Sequence, residues 1–170
     1  MSYPHHFAAR GWVAATAETL FERLDDPLHL ASHMQRRSMA MMGSTMRVDT
    51  DAQHGRALGS LIRMRGRVLG LALTLDEMVV ERDPPRRKAW QTIGEPHLLA
   101  MGAYRMGFVI DPAPRGAQLT VFIDYQLPAS APWRWLGRLL APMYARWCCN
   151  RMLQDAHAAF AAEKEETLAR

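Results

Sequence analysis

The chain has 170 residues, of which 49% are hydrophobic and 22% are charged, and its formal net charge is +4. This length and balance suit a globular domain with a sizeable core and exclude a disordered chain. No stretch reaches the roughly 18 uncharged apolar residues that a transmembrane helix needs. We therefore expect one domain over residues 1–170 and no transmembrane segment.

The N-terminal residues and the cysteines indicate in which cellular compartment the protein is expected. Residues 1–6 lack the basic start and apolar run of a signal peptide. Cys148 and Cys149 are the only cysteines, and adjacent cysteines are poor partners for a structural disulfide. We expect a cytoplasmic protein with reduced thiols.

Arginine carries almost all of the positive charge, because Lys88 and Lys164 are the only lysines. A net positive charge permits binding to nucleic acid or anionic lipid, but basic residues spread along the chain favour a solvated basic surface. Arg63, Arg65 and Arg67 form a same-face row with a spacing of about 7 Å. This row lacks the interleaved aromatic side chains of single-strand binders, so no nucleic-acid partner is expected.

The predicted elements begin with a strand over Phe7–Val13, which alternates loosely. Thr16 is a favourable N-cap for a helix over Ala17–Leu24, whose leucines and phenylalanine share one face. Pro27 ends that helix, since proline disfavours a helical residue before it. A second short helix is expected over Leu28–His33.

Runs of strand length follow from Arg36 to Gln126. The turn signals between them are Gln53–Gly55, Gly66–Arg67, Asp83–Arg86, Gly94–Pro96 and Asp111–Gly116. Within 58–68, one face is predicted to carry Leu58, Ile62, Met64 and Val68. Alternation joined by short turns predicts antiparallel hairpins with one dry and one wet face. Together with the first strand this makes an α+β meander of about seven strands.

The tail from Trp133 to Glu166 is helical in character, with a start signal at Ser130–Pro132. Its first half has an apolar face formed by Leu136, Leu140, Met143 and Trp147. Its second half has a nearly opposite apolar face formed by Cys149, Met152, Leu153, Ala156 and Phe160. Pro142 is expected to kink or divide the helix. The second half is predicted to be the long packing helix, and the role of Trp133–Trp147 is open between a lid, a dimer contact and core.

This order of elements resembles the START/Bet v 1-like (SRPBCC) superfamily. Residues 13–30 resemble its opening strand–helix–helix segment, Met78–Arg87 its strand ending in an acidic–Pro-Pro turn, and Gly102–Val121 its last hairpin. Among its branches, the polyketide cyclase/dehydrase-like proteins are the most similar. The resemblance covers nearly the whole chain. It implies a helix-grip fold, in which a curved seven-stranded antiparallel sheet wraps around a long C-terminal helix, with two short helices after the first strand.

The resemblance also implies a cavity between sheet and helix, which in relatives holds lipids, sterols, polyketides, hormones or aromatic compounds. Alternation with Leu119, Val121 and Ile123 places Tyr125 inward and Asp124 on the wetter face. The methionine content, 12 residues, favours an adaptable apolar surface. The candidate ligand-binding residues are Met39, Met41, Ile62, Met64, Trp90, Tyr104, Met106, Tyr125, Leu136 and Leu140.

Common catalytic motifs do not occur in the sequence. There is no dinucleotide, P-loop, zinc-protease or serine-hydrolase signature. His29 and His33 have a spacing suited to a metal, but a third ligand is not evident, so neither a metal nor a cofactor is expected. Most members of the superfamily have no catalytic signature that transfers by sequence, so the resemblance assigns no catalytic residue.

The prediction is a protein that binds or transports an apolar or aromatic small molecule, lipid- or polyketide-like, in an internal cavity. An enzyme of the cyclase or dehydratase type is the alternative, with Tyr104, Tyr125 or His97 as proton carriers. A protein-interaction module that uses Trp133–Trp147 is a further alternative, and a homodimer stays open as a partner.

Overall fold

The computed structural model describes residues 2–27, 45–68, 71–98, 101–129 and 131–168. In chain order its elements are β1 (His5–Val13), α1 (Ala17–Leu24), β2 (Thr45–Thr50), β3 (Leu61–Val68), β4 (Leu71–Asp83), β5 (Arg87–His97), β6 (Tyr104–Ala113), β7 (Gly116–Tyr125) and α2 (Ala131–Leu168). The helix predicted over Leu28–His33 lies outside the described residues, as do Met39 and Met41.

The seven strands form one curved sheet in the order β1-β7-β6-β5-β4-β3-β2, and every neighbouring pair is antiparallel. Strands β2 to β7 each pair with the next strand in the chain, as the meander prediction requires. The β6–β7 turn has two residues between the paired Ala113 and Gly116, and its Arg115 takes a φ of 65°. The predicted helix-grip architecture, a seven-stranded antiparallel sheet with a long C-terminal helix, is confirmed.

Helix α1 has the predicted bounds and the predicted cap. The side chain of Thr16 accepts a hydrogen bond from the backbone N–H of Thr19 at 3.3 Å, which satisfies a free donor of the first turn. Leu20, Phe21 and Leu24 are buried on one face. The Phe21 ring meets the ring of Phe108 edge-on at 5.7 Å, so α1 covers one end of the sheet.

Helix α2 packs on β1 and β7. Gly11 of β1 allows the close approach, because a Cβ there would lie 2.9 Å from Nε2 of His157 and 3.1 Å from Cδ2 of Leu153. The side chains that α2 buries are Ala141, Ala145, Cys148, Cys149, Met152, Ala156 and Phe160. The predicted packing role of the second half of the helix is confirmed.

Of the two predicted effects of Pro142, a kink or a division, the division is wrong, since α2 runs unbroken from Ala131 to Leu168. Pro142 is exposed. The carbonyl four residues earlier, which proline leaves without a donor, belongs to the exposed Arg138 and can hydrogen-bond to water. The proline is tolerated because it faces solvent.

Two predicted turns lie inside strands, and one predicted inward residue is exposed. Gly66–Arg67 lies within β3 and Gly94–Pro96 within β5. Asp76 pairs with Ile93 and Thr74 pairs with His97, so between these two pairs β5 has two residues more than β4. Gly94 lies in this extra length with a φ of 71°, and it therefore forms a bulge instead of a turn. Leu58, which was predicted to face inward, is 68% exposed. It belongs to the loop before β3, which extends to Ser60, so the strand alternation does not apply to it.

Candidate ligand site on the inner face of the sheet

The sheet face toward α1 and α2, here called the inner face, carries six of the predicted ligand-binding residues. Ile62, Met64, Trp90, Tyr104, Met106 and Tyr125 are all buried there. Strand register brings several together: Trp90 lies opposite Met106, and Tyr104 lies opposite Tyr125. Directly opposed residues of antiparallel strands point to the same side. The alternation therefore collects them into one buried patch, while their role in binding stays a prediction.

Four polar or aromatic residues, here called the polar row, cross this face from the middle of β4 and β5 to the first residue of β6 and the last residue of β7. Glu77 of β4 lies opposite Thr92 of β5. The Thr92 hydroxyl accepts a hydrogen bond from the backbone N–H of Tyr104 at 3.1 Å, and Tyr104 lies opposite Tyr125 of β7. The row Glu77, Thr92, Tyr104 and Tyr125 is thus perpendicular to the strands.

The hydroxyl of Tyr104 donates a hydrogen bond to Oε1 of Glu77, and both side chains are buried. Strands lie about 4.8 Å apart, so the two backbones are about 10 Å apart with β5 between them. The small side chain of Thr92 leaves room for the phenol to extend over it. This hydrogen bond thus joins β4 to β6, two strands that are not neighbours in the sheet.

Burial dominates the electrostatics of Glu77. Desolvation raises the pKa of its carboxyl to about 7, although interactions with the side chains of Tyr104 and Trp90 oppose the rise. The charged form loses its hydration in the apolar interior, and one or two donors restore only part of it. Both protonation states of Glu77 are therefore populated near neutral pH.

Helix α2 contributes Tyr144 and Cys148, one turn apart, opposite the polar row. Both act on the pKa of Tyr104, which burial and the nearby Glu77 raise well above its ordinary value. Burial raises the pKa of the Cys148 thiol to about 12, against the lowering effect of its interaction with Tyr144. The thiol is thus a neutral, weakly polar neighbour of the row and not a ready nucleophile.

A second buried charged group lies at the α1 end of the sheet. The Lys88 ammonium donates to the Asp25 carbonyl oxygen at 2.6 Å, to Asp25 Oδ1 at 2.7 Å and to the Gly55 carbonyl oxygen at 2.8 Å. Arg82 donates to the same carboxylate at 2.8 Å. An ammonium has three protons, and all three are engaged. Lys88 therefore ties α1 to the sheet and the β2–β3 loop and has no donor left for a ligand.

The remaining predicted site residues lie on α2, at the end of β5 or among the residues that are not described. Leu136 and Leu140 are half-buried on α2. His97 ends β5, and its side chain is not among those described. Asp124 is on the outer face, as predicted, where its Oδ1 lies 2.6 Å from Nδ1 of His6.

Sequence reasoning missed Glu77, Thr92, Tyr144 and Cys148. For Glu77 a signal was present: Leu75, Glu77 and Val79 alternate on one face of β4, and all three are buried. Continuing the inward alternation by one step finds a carboxyl group among apolar residues. Tyr144 and Cys148 lie on a helix with two apolar faces, where periodicity does not single them out.

A pocket of about 400 Å³ lies elsewhere, between the start of α1 and the β6–β7 turn. Its lining includes Thr16, Glu18, Pro112 and Arg115, and none of the predicted ligand-binding residues. Among the described residues, no group of three histidine, cysteine or acidic side chains is arranged to hold a metal ion. No helix in the described part of the chain has the length and apolar character needed to cross a bilayer.

Solved structures share this fold over nearly the whole chain. Protein CV1439 from Chromobacterium violaceum has a TM-score of 0.63 at 18% identity, covering 92% of this chain and 97% of the other. The Zhui aromatase/cyclase from Streptomyces sp. R1128 has a TM-score of 0.61 at 17% identity, covering 89% and 93%. Norcoclaurine synthase from Thalictrum flavum, in complex with dopamine and hydroxybenzaldehyde, has a TM-score of 0.64 at 14% identity, covering 94% and 87%. At such identities the likeness shows the fold.

The comparison with curated protein sequences finds no match. A family model does match: the model described as "Polyketide cyclase / dehydrase and lipid transport" covers residues 4–163. This range includes every strand and α1, and it reaches into the last turns of α2. The chain therefore belongs to the polyketide cyclase/dehydrase and lipid transport family.

Proposed function

We propose that the protein binds an apolar or aromatic small molecule with one hydrogen-bonding group, between the inner face and α2, beside the polar row. The observation that supports this most is the Glu77–Tyr104 pair, buried among apolar side chains. Burying a carboxyl group costs folding free energy that hydrogen bonds offset only in part, so a carboxyl group kept in this position favours a role in binding. Here it offers a ligand hydroxyl or carbonyl a partner in dry surroundings.

The apolar part of the ligand would contact the side chains that surround the row. Trp90 and Met106 lie opposite each other one step along the strands, and Ile62 lies opposite Glu77 on the β3 side. Each CH₂ transferred from water contributes about 0.8 kcal/mol. A ligand of ten or so carbons thus gains affinity mainly from burial, and the polar row fixes its orientation.

Methionine methyl groups provide a direct test of the location. Protein labelled with ¹³C at methionine methyls is titrated with 1-naphthol and followed by NMR. We expect saturable shifts at Met64 and Met106, which are buried on the inner face, and none at the exposed Met143. Met78 is a second internal control, because it lies between the inward-facing Glu77 and Val79 and its half-buried side chain is on the outer face. Shifts that do not saturate, or that are as large at Met143, would contradict the proposal.

Paired ligands test the polar anchor. 1-Naphthol and naphthalene share one ring system and differ by a hydroxyl group, so the ratio of their affinities reports the hydrogen bond. A Glu77→Leu/Tyr104→Phe double variant removes both polar partners at once, which avoids leaving either one buried and unpaired. We expect the wild type to prefer 1-naphthol and the double variant to lose that preference. An unchanged preference would remove Glu77 and Tyr104 from the site.

One observation favours a second function, an enzyme of the cyclase or dehydratase type. A carboxyl group with a pKa of about 7 can both take and return a proton at neutral pH. In such an enzyme Glu77 would remove a proton from a carbon next to a ketone with its second carboxylate oxygen. Once Glu77 holds that proton, the Tyr104 hydroxyl, which donates its one proton to Glu77 in the structure, would turn to donate it to the enolate oxygen.

Deuterium exchange at the α-carbon of 2-tetralone in D₂O, followed by NMR, tests this function. The wild type should accelerate the exchange, and Glu77→Gln should abolish the acceleration. Tyr125→Phe is a matched control on the same row, since Tyr125 is not bonded to Glu77. If the wild type gives no acceleration although it binds the ketone, the protein is a carrier.

A further inference from the structure

The first half of α2 exposes a line of large apolar side chains, here called the apolar stripe. Trp135, Leu139 and Met143 are 66%, 68% and 62% exposed. Residues four apart lie on the same side of a helix. The stripe points away from the sheet, because Ala141 and Ala145 are fully buried on another side of the same turns.

The charge around this stripe has a single sign. Arg134, Arg138 and Arg146 are exposed beside it, and residues 131–154 contain four arginines and no aspartate or glutamate. Within the described residues, Arg134 donates to the Ala129 carbonyl oxygen at 2.7 Å, and the Arg146 guanidinium lies 5.9 Å from the centroid of the Phe7 ring. None of the three arginines pairs with a carboxylate in that part of the chain, so no described acidic side chain offsets their charge.

We propose that the apolar stripe and its arginines form a docking surface for an anionic lipid membrane. A helix with exposed apolar residues on one side and arginines beside them lies in the plane of a bilayer interface, and a tryptophan suits the headgroup level. The arginines meet lipid phosphates and carboxylates, while Leu139 and Met143 enter the acyl boundary. The charge complementarity selects anionic over zwitterionic lipid.

The dimensions favour a membrane over a protein partner. The stripe runs over nine residues, from Trp135 to Met143, which is about 12 Å of helix. A stable protein interface, by comparison, takes roughly 800 Å² from each partner. A lipid surface needs no matching shape. The proposal does not depend on whether a ligand binds on the inner face. The polar row faces the buried side of α2, whereas the apolar stripe is on the exposed side.

Flotation with vesicles tests the proposal on the full chain. Vesicles of phosphatidylcholine and phosphatidylserine in equal parts should bind the wild type, and added salt should weaken the binding. Vesicles of phosphatidylcholine alone should bind far less. A Trp135→Ser/Leu139→Ser double variant should lose at least about tenfold in affinity for the mixed vesicles, and Arg138→Gln about fivefold.

The matched controls are Trp12→Ser and Arg63→Gln, which change one exposed tryptophan and one exposed arginine on the other side of the sheet. They should bind as the wild type does. Equal binding by the wild type and the stripe variant, or equal loss in the controls, would overturn the proposal. So would light scattering that shows a wild-type dimer split by the stripe variant, since the stripe would then be a contact between copies of the chain.

Discussion

Tyr104 donates a hydrogen bond to Glu77 across strand β5, between residues 27 positions apart in the sequence. The bond stabilises the charged carboxylate, while burial favours the neutral acid. The balance leaves Glu77 able to titrate near neutral pH inside the fold. The first two predictions follow from this pair.

Stability should fall as pH rises from about 4.5 to about 7, through the titration of Glu77. Below the ordinary pKa of 4.5, the folded and unfolded chains both hold the proton. Above it the unfolded chain releases the proton first, so unfolding becomes easier until the folded chain also ionises near pH 7. The loss is on the order of 3 kcal/mol.

Urea unfolding of the wild type and of Glu77→Gln over this pH range measures the effect. The glutamine keeps the shape of the side chain and cannot ionise. We expect the difference in unfolding free energy between the two proteins to shift by that amount in favour of the variant. A difference that does not change with pH would show that Glu77 is not titrating in a desolvated site.

Tyr104→Phe should raise the pKa of Glu77 further, because it removes the hydrogen bond that favours the charged form. The ¹³C chemical shift of the side-chain carboxyl of Glu77, followed by NMR over pH, reports this pKa directly. Tyr125→Phe removes a hydroxyl from the same row without touching the pair and should leave the pKa near that of the wild type. A lower pKa in Tyr104→Phe would contradict the geometry.

Lys88→Met should destabilise the fold by about 3–5 kcal/mol, as expected when one partner of a buried charged network is removed. The change leaves the Asp25 and Gly55 carbonyl oxygens without their donor. Arg56→Met is the matched control, because the Arg56–Asp26 pair next to it is more exposed and should contribute less than about 1 kcal/mol. Equal losses in chemical denaturation would refute a special role for Lys88.

Both thiols should react slowly in the folded protein. Burial raises the pKa of Cys148 and of Cys149 to about 12, so the reactive thiolate is about a thousandfold rarer than for an ordinary thiol. Titration with a chromogenic disulfide at neutral pH should show little reaction in native protein and complete reaction of both cysteines in urea. Rapid labelling of the native protein would mean that α2 opens readily.

The local features of the fold could be predicted because short-range chemistry decides them. Thr16 caps α1, and the Asp83–Arg86 turn separates β4 from β5, as expected. Where a local turn signal gave a wrong prediction, the pairing with neighbouring strands determined the structure. Gly94 looked like a turn residue and forms a bulge, since the pairing of β4 with β5 continues beyond it.

From the sequence alone, the meander, helix α1 and the inward positions of Trp90, Tyr104 and Tyr125 could be predicted, although turns were wrongly predicted at Gly66 and Gly94. These depend on spacing along the chain, which the sequence states directly. Only the tertiary structure decided that Tyr104 meets Glu77 over Thr92, with Tyr144 and Cys148 facing them. Contacts between distant strands depend on register, which bulges and turns set together, and the pKa of Glu77 depends on how completely the surrounding residues exclude water.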